Sequence, residues 1–157
     1  MSDKAVRAIR FGMVLDHIRP GLGAVISNVI KNRVWSEGVT HPVYTGEGVS
    51  SSRMSRKDFV KLDGMHLELG SDALSEIAVI QPDVTVNWIE NGERTQKRTA
   101  RECIGDEIHT DLIECGNPNC IANYEAHGVY EVLDRESLRV RCRYCGTEFK
   151  AKYNGRL

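Results

Sequence analysis

Four cysteines in the last third of the chain constrain its fold more than any other feature. Four residues separate Cys115 from Cys120, and two residues separate Cys142 from Cys145. Short-spaced pairs of this kind are typical of knuckle turns, which direct sulfur atoms from two segments at a single zinc ion. Four thiolates close the tetrahedral shell, whereas a catalytic zinc keeps one position open for water. The pattern therefore predicts one structural zinc ion.

Disulfide pairing and ordinary burial are the alternative interpretations of these cysteines. Disulfides are disfavoured because the first residues are charged rather than an apolar signal segment, and because the chain has an odd cysteine, Cys103. Ordinary burial is disfavoured because chance rarely places two short-spaced pairs in one small segment. We expect Cys103 to be a free thiol that packs rather than one that does chemistry.

The overall composition is that of an ordinary soluble globular protein. Hydrophobic residues make up 41% of the 157 residues and charged residues 27%, with a net charge of −1. This balance gives no general reason to expect nucleic acid or a membrane surface as a partner. Nothing approaches the ~18 consecutive apolar residues of a membrane span. We expect a cytoplasmic protein, where thiols stay reduced and available to zinc.

The first sixty residues predict two strands and a helix. Within residues 5–18, apolar residues alternate from Ile9 to Leu15 and predict a strand, bent at Gly12. The run from Lys57 to Asp63 predicts another strand. Between them lies an apolar stripe at helical spacing, which predicts a helix of about three turns: Leu22, Val25, Ile26, Val29 and Ile30. A short strand is expected near 43–45, and Gly46 to Ser52 is interpreted as a mobile loop.

A second helix and a hairpin follow. Ser71 is expected to cap the helix and Pro82 to end it, and three residues are expected to form its inner face: Leu74, Ile77 and Ala78. Residues 84–89 are rich in β-branched side chains and alternate in polarity, which predicts a strand. Asn91-Gly92 is the strongest short hairpin signal and predicts a tight turn into a returning strand over 93–97.

These elements predict an α+β fold in which an antiparallel sheet carries two helices on one face, a ferredoxin-like arrangement. Residues 1–98 would form this domain, 99–111 a polar linker, and 112–157 a small all-β, zinc-ribbon-like domain. Gly128 to Leu133 and Leu138 to Cys142 are the strands expected there. So small a segment cannot bury enough apolar surface to fold alone, so the metal must replace the missing core.

Charged residues of the first domain form a candidate anion site. Asp16-His17 places a carboxylate beside an imidazole where the first strand ends. Lys57 and Lys61 lie four residues apart on one predicted strand, so both point to the same sheet face, and Lys97 approaches them if the hairpin lies on that side. Such residues most often form a solvated turn and a solubilising face. Gathered round a pocket, however, the lysines would suit a polyphosphate.

The zinc segment is rich in arginine, which raises the alternative of a zinc-ribbon nucleic-acid-binding module. From Leu112 onward, however, the sequence has seven lysine and arginine residues and six aspartate and glutamate residues, a surplus of only one positive charge. Binding a phosphate backbone requires a sustained positive stripe, so this alternative is the weaker one. A small enzyme is also disfavoured, because no pattern of residues suggests a nucleophile or an open metal position.

Several stretches together resemble the regulatory chain family of aspartate carbamoyltransferase. They occur in the family's order and cover almost the whole chain: 12–18 (GMVLDHI), 54–62 (MSRKDFVKL), 85–89 (TVNWI), 115–121 (CGNPNCI), and 142–145 (CRYC) followed by Phe149. The combination is far more specific than any single motif.

The resemblance implies a non-catalytic subunit with an allosteric domain that binds ATP and CTP and a zinc domain that docks on catalytic chains. Regulatory homodimers would bridge catalytic trimers in pyrimidine biosynthesis. The positions that match the family's nucleotide site are Ile9, Asp16, His17, Lys57, Lys61, Asn87, Ile89 and Lys97. The positions that match its interface with the catalytic chain are Asn117, Asn119 and Arg143.

Three features depart from the family's pattern. Gly92 stands in the hairpin where an aromatic residue often helps to hold the base, Gly46 to Ser52 lacks the usual apolar strand character, and the linker lacks the expected prolines. These departures concern the affinity for nucleotides and the choice among them. They leave the zinc site untouched.

Overall fold

A computed structural model describes residues 8–36, 42–64, 69–124 and 128–156. The described residues form the following helices and strands, in chain order: β1 (Gly12–Ile18), α1 (Leu22–Ser36), β2 (Val43–Ser51), β3 (Ser55–Asp63), α2 (Ser71–Ile80), β4 (Thr85–Glu90), β5 (Glu93–Thr99), β6 (Glu107–Thr110), β7 (Gly128–Asp134), β8 (Arg139–Cys142) and β9 (Glu148–Lys150). Within these ranges no helix is both long and apolar enough to cross a membrane.

The first sheet is antiparallel, and its described strands have the order β2-β3-β1-β4-β5. Two helices cover one face of this sheet, and the core lies between the layers. Its side chains come from alternate positions of the three central strands, as the period of two requires: Met13, Leu15, Val60, Leu62 and Val86. The apolar stripe of α1 packs against them. The predicted α+β class is therefore confirmed.

The hairpin and both helices are found where the sequence patterns predicted them, with differences at the ends. Asn91 and Gly92 have φ of 51° and 78°, as a tight two-residue turn requires. The first strand begins at Gly12, and the part of its predicted start before residue 8 lies outside the described residues. Ser71 is the first residue of α2 rather than its cap, because Gly70 takes the cap position.

The interpretation of Gly46 to Ser52 as a mobile loop is wrong for most of this segment. Strand β2 continues to Ser51 and pairs with β3, with a bulge between Gly46 and Val49. Gly46 lies directly opposite Phe59, whose ring occupies the space that a Cβ at this position would need. The glycines that weaken the strand pattern are thus required for close packing and for the bulge.

A second, smaller sheet is formed by the described strands in the order β6-β7-β8-β9. Tyr130 is fully buried in it, contacts Phe149 edge to face, and donates its hydroxyl to the Ile113 carbonyl oxygen. The segment predicted as a linker, 99–111, contains a 3-10 turn at Arg101–Cys103 and strand β6, which pairs with β7. Domain boundaries at residues 98 and 112 stay a prediction.

Helix α2 lies between the two domains. Every residue from Ala73 to Ile80 is buried, because the sheet covers the predicted inner face and the second domain covers the opposite side. On that opposite side, Ser75 Oγ accepts the Gly105 N–H at 3.1 Å, and Glu76 Oε2 accepts the Thr110 hydroxyl at 2.6 Å. One continuous apolar core therefore runs through both domains.

Asp58 is a buried carboxylate that ties three segments together. Its Oδ2 accepts the N–H groups of Gly21 and Gly23 at 2.9 and 3.0 Å, and its Oδ1 accepts the Gly48 N–H at 2.8 Å. The first turn of a helix has N–H groups without partners inside the helix, and Asp58 satisfies them at the start of α1. Through Gly48 it also anchors the bulge of β2.

Replacing Asp58 by alanine should destabilise the fold strongly. The change leaves three backbone N–H groups without their acceptor, one of them on the buried Gly23, so we expect a loss of about 3–5 kcal/mol in the free energy of unfolding. Urea unfolding would measure it. Glu93→Ala, on the exposed hairpin, is the control and should stay within about 0.5 kcal/mol. Equal losses for the two variants would contradict the assigned role of Asp58.

Candidate functional site

Four sulfur atoms converge in the second domain. The Sγ atoms of Cys115, Cys120, Cys142 and Cys145 all lie within 4.8 Å of one another. Two of the separations are 3.5 Å, from Cys115 to Cys145, and 3.7 Å, from Cys120 to Cys142. A tetrahedral zinc with Zn–S bonds of about 2.3 Å places its sulfurs about 3.8 Å apart. The geometry therefore fits four ligands of one zinc ion, and the separations far exceed a disulfide bond of about 2.05 Å.

The knuckle turns orient these sulfurs through backbone hydrogen bonds. The N–H of Asn117 points at Cys115 Sγ and that of Ala122 at Cys120 Sγ, each at 3.4 Å. In the second knuckle, Gly146 adopts a φ of 77°, and its N–H donates to the Cys142 carbonyl oxygen at 2.8 Å. N–H groups directed at sulfur stabilise a thiolate, so the first turn is shaped for a metal rather than for a disulfide.

The pKa values of three of the four thiols are shifted by hydrogen bonds or by burial. Hydrogen bonds from Thr147 lower the pKa of Cys145 to about 6. Burial raises the pKa of Cys115 and Cys120. A bound dication supplies the positive charge that buried thiolates need, which explains why this cluster depends on a metal to be fully ionised.

The open face of the first sheet carries several of the predicted nucleotide residues in one row. Lys61 lies opposite Val14, Val14 opposite Asn87, and Asn87 opposite Lys97 in the strand register. Residues directly opposite one another share a sheet face, so these side chains lie on the face away from the helices. The Asn87 side chain donates to the Val14 carbonyl oxygen at 3.1 Å. Lys61 Nζ lies 5.1 Å from the ring centroid of Phe59.

On one side of this row, further along β1, Asp16 and His17 form a β-bulge. The β1–β3 register shifts between Leu15 and Ile18, and His17 has a φ of 59°, in the left-handed region. Lys57 Nζ contacts the Asp16 carboxylate at 2.8 Å, and His17 Nδ1 lies 3.2 Å from Thr85 Oγ1. Bulges re-aim side chains, and this one brings the predicted carboxylate, imidazole and lysine together.

The surroundings of His17 lower its pKa below the ordinary value of histidine, which favours the neutral imidazole at pH 7. Burial lowers its pKa, Asp16 opposes this effect, and the nearby cations Lys57, Arg53 and Lys97 lower the pKa further. Any positive charge offered to an anion at this end of the sheet therefore comes from the lysines and Arg53 rather than from histidine.

Two apolar residues of the predicted site lie on the opposite side of the row. Ile89 is opposite Gly12 in the register. The side chain of Ile9, which is buried, reaches to 3.2 Å from the point where a Cβ on Gly12 would stand. The predicted nucleotide residues thus range from an apolar end, past the row of Lys61, Asn87 and Lys97, to a charged end.

The predicted interface residues lie around the cysteine knuckles. The Asn117 side chain accepts the Asn119 N–H at 3.1 Å, and Arg143 Nε donates to Glu107 at 2.8 Å. Beside them, three large apolar side chains are more than half exposed: Ile121 (54%), Tyr124 (76%) and Tyr144 (56%). An exposed apolar group of this kind, rimmed by polar residues, is typical of a protein interface.

The arginines of the second sheet are paired with carboxylates. Arg139 and Arg141 contact Glu148 at 3.1 and 2.9 Å, Arg141 also contacts Glu131 at 2.9 Å, and Arg143 contacts Glu107. Alternating charges of this kind neutralise one another across the strands. They do not form the positive stripe that a nucleic-acid-binding module requires.

Comparison with known proteins shows what kind of chain this is. Residues 4–101 match the family described as "Aspartate carbamoyltransferase regulatory chain, allosteric domain", and residues 106–153 match "Aspartate carbamoyltransferase regulatory chain, metal binding domain". The chain belongs to the aspartate carbamoyltransferase regulatory chain family.

Individual regulatory chains agree over nearly their whole length. Those of Thermococcus sibiricus and Pyrococcus abyssi are 34% and 35% identical over 146 residues, which cover 92% of this chain and 91% of each relative. The regulatory chain of Nitrosopumilus maritimus is 31% identical over 159 residues, which cover 98% of both chains.

The resemblance to the aspartate carbamoyltransferase regulatory chain is therefore confirmed. As a member of this family, the chain is regulatory rather than catalytic, belongs to pyrimidine biosynthesis, and has catalytic chains as partners. The metal-binding domain named by the family and the four-cysteine cluster agree, and together they are consistent with one structural zinc ion. Zinc here would join two knuckles and provide no chemistry of its own.

Sequence patterns missed several residues of this regulatory chain's sites. Arg53 acts on His17 electrostatically from the β2–β3 turn, but an arginine in a turn gives no signal in sequence. Thr147 Oγ1 lies 3.2 Å from Cys145 Sγ, and a hydroxyl two residues after a cysteine ligand was a detectable hint. Gln81 and Glu76 were also missed, because their hydrogen-bond partners His17 and Thr110 lie far away along the chain.

Exchanging single cysteines should separate ligands from the free thiol. Cys103 is free and half-buried, so Cys103→Ser should keep one zinc per chain, whereas Cys142→Ser removes one of four thiolates and should lower zinc content sharply. Elemental analysis of the purified chains measures both. Loss of zinc from Cys103→Ser with retention by Cys142→Ser would refute the ligand set.

Proposed function

We propose that this chain binds ATP and CTP on the open face of the first sheet and passes their effect to catalytic chains through the metal-binding domain. The main supporting observation is the row of Lys61, Asn87 and Lys97 across that face, with the Asp16–Lys57 pair beside it, in a regulatory chain. The helices cover the other face. The open face is therefore where a ligand can reach several strands at once.

The distribution of charge supports a nucleoside triphosphate as the ligand. Lysine is a compact cation that suits phosphate oxygens, and three lysines reach this face. The Asp16 carboxylate accepts hydrogen bonds and suits sugar hydroxyls or base amino groups better than phosphate. The apolar end near Ile89 suits a base, and the Asn87 amide lies between the two. Lys57 would exchange its contact with Asp16 for a phosphate when the nucleotide binds.

Docking on catalytic chains is proposed for the surface around the knuckles. Asn117, Asn119 and Arg143 belong to the same two knuckle segments as the exposed side chains of Ile121 and Tyr144. A metal shell makes such a turn rigid, so little conformational entropy is lost when it binds. Because binding free energy of the metal is folding free energy in modules this small, the docking surface would exist only with metal bound.

Three further proposals concern the assembly of the chain, its compartment and the bounds of its two units. Pairing of two regulatory chains into a homodimer would let one assembly bridge two catalytic oligomers. A reducing, cytoplasmic compartment would keep the four thiols available to zinc. We also take residues 1–98 and 112–157 as the effector-binding and docking units.

Removing either lysine of the central row should weaken effector binding. Each of Lys61→Ala and Lys97→Ala deletes a positive charge that faces the triphosphate, and we expect a loss of about 1.5–3 kcal/mol, or roughly tenfold or more in Kd. Titration calorimetry of ATP and CTP on the assembly with catalytic chains is the measurement.

Lys150→Ala is the matched control, because Lys150 is an exposed lysine on β9 of the other domain. It should bind nucleotides like the unaltered chain. The experiment also tests the proposed function as a whole, because absence of ATP and CTP binding by the unaltered assembly would leave the first domain without an effector role.

Metal removal should separate docking from effector binding. A mercurial takes the thiolates from zinc and should unfold the knuckles, whereas the first sheet has its own core and should persist. We expect the treated chain to leave the catalytic chains on a sizing column and still bind nucleotide. The released catalytic chains should stay active and ignore ATP and CTP. Co-elution of metal-free chain with catalytic chains would contradict the proposed division of roles.

A further inference from the structure

Gln81, directly after α2, clamps the backbone beside the proposed nucleotide site. Its side chain is buried, with 1% exposed, and all of its polar groups have partners. Nε2 donates to the His17 carbonyl oxygen at 2.9 Å and to Asp83 at 3.0 Å, and Oε1 accepts the Arg19 N–H at 2.9 Å. The amide therefore holds the chain on both sides of Ile18, where the bulge of β1 ends.

Glu76, earlier on the same helix, holds the metal-binding domain. Its carboxylate accepts the Thr110 hydroxyl at 2.6 Å and contacts the Arg33 guanidinium of α1 at 2.7 Å. The same Arg33 donates to the His109 carbonyl oxygen at 3.0 Å. Thr110 Oγ1 in turn accepts the Leu112 N–H at 3.0 Å. One buried carboxylate thus joins α1, α2 and β6.

The attachment points at Glu76 and Gln81 are only about 7.5 Å apart along the helix axis, at a rise of about 1.5 Å per residue. A helix this short is stiff along its axis, and the Gln81 N–H continues it by donating to the Ile77 carbonyl oxygen at 2.9 Å. A displacement of the backbone at His17 therefore cannot be absorbed between Gln81 and Glu76. It has to move the helix, or break a buried hydrogen bond.

We propose that Gln81 and Glu76 are positioning residues that make α2 the mechanical link between the nucleotide-binding bulge and the metal-binding domain. The inference rests on the proposed function for the ligand at the bulge, but the link itself is a property of this chain. Coupling between two sites is reciprocal, so a disturbance at either end must appear at the other. A purely local structural role for these residues predicts no such reciprocity.

Hydrogen exchange of the full-length, metal-loaded chain tests the link without any nucleotide. Thr110→Val removes the hydroxyl at nearly constant volume, and Gln81→Met removes the amide. We expect Thr110→Val to speed exchange in peptides covering 17–22, and Gln81→Met to speed it in peptides covering 104–113. Each effect should be about fivefold, the scale of one lost hydrogen bond.

Two matched variants control this experiment. Thr110→Ser keeps the hydroxyl and should restore slow exchange at 17–22. Ser137→Ala removes a hydroxyl that contacts Asp134 in the exposed β7–β8 turn, and it should leave both peptides unchanged. If Thr110→Val and Gln81→Met each affect only their own end, the link is refuted, whether or not the chain binds nucleotides.

The assembly with catalytic chains tests the consequence for regulation. Thr110→Val should bind ATP and CTP with a Kd within about twofold of the unaltered assembly but lose at least half of the nucleotide-induced shift in half-saturation for aspartate. Thr110→Ser should keep the shift. A full shift in Thr110→Val overturns the proposal. An unaltered assembly that binds no nucleotide refutes the proposed function instead, and the exchange experiment then decides the link alone.

Discussion

The structure depends on a short helix that is covered on all sides. Eight consecutive residues of α2, Ala73 to Ile80, are buried, so this helix cannot follow the usual division into an apolar and a solvated face. The polar residues that would normally face water, Ser75 and Glu76, must find partners within the protein, because a buried unpaired polar group is costly. They find them in Gly105, Arg33 and Thr110. The hydrogen bonds of Ser75 with Gly105 and of Glu76 with Thr110 fix how the two domains lie against each other.

The metal-binding domain has a small apolar core, and metal binding is expected to supply the stability that this core lacks. Among its described residues, Tyr130 is fully buried together with a few aliphatic side chains such as Ile108, Leu112 and Val140, and three of the four cysteines are buried beside them. The knuckles direct N–H groups at sulfur and so prepare the site for thiolates, but burial raises the pKa of Cys115 and Cys120. A bound metal ion stabilises the thiolate forms that burial disfavours. We therefore expect removal of the metal to unfold this domain.

Local patterns predicted most elements, while contacts distant in sequence decided what was missed. The stripe of α1, the Asn91-Gly92 turn and the cysteine pairs each carry their signal within a few residues, and the structure has them. Strand β2 was missed because its glycines weaken the pattern, although Gly46 is needed to admit the Phe59 ring from the next strand. Glu76 was missed because its partners, Arg33 and Thr110, lie 43 and 34 residues away. No periodicity reports such pairs.

The placement of charge suggests why the proposed effector site and the docking surface need a mechanical link rather than an electrostatic one. The lysines face the open side of the first sheet, and the arginines of the second sheet are already paired with carboxylates. Exposed charges more than about 10 Å apart are largely screened at physiological salt, so a phosphate at one surface has little direct effect on the other. Buried hydrogen bonds are not screened in this way. In the proposed link, the hydrogen bonds of the buried Gln81 side chain with the bulge and of Glu76 with Thr110 couple the two surfaces through atomic displacement instead of through the electrostatic field.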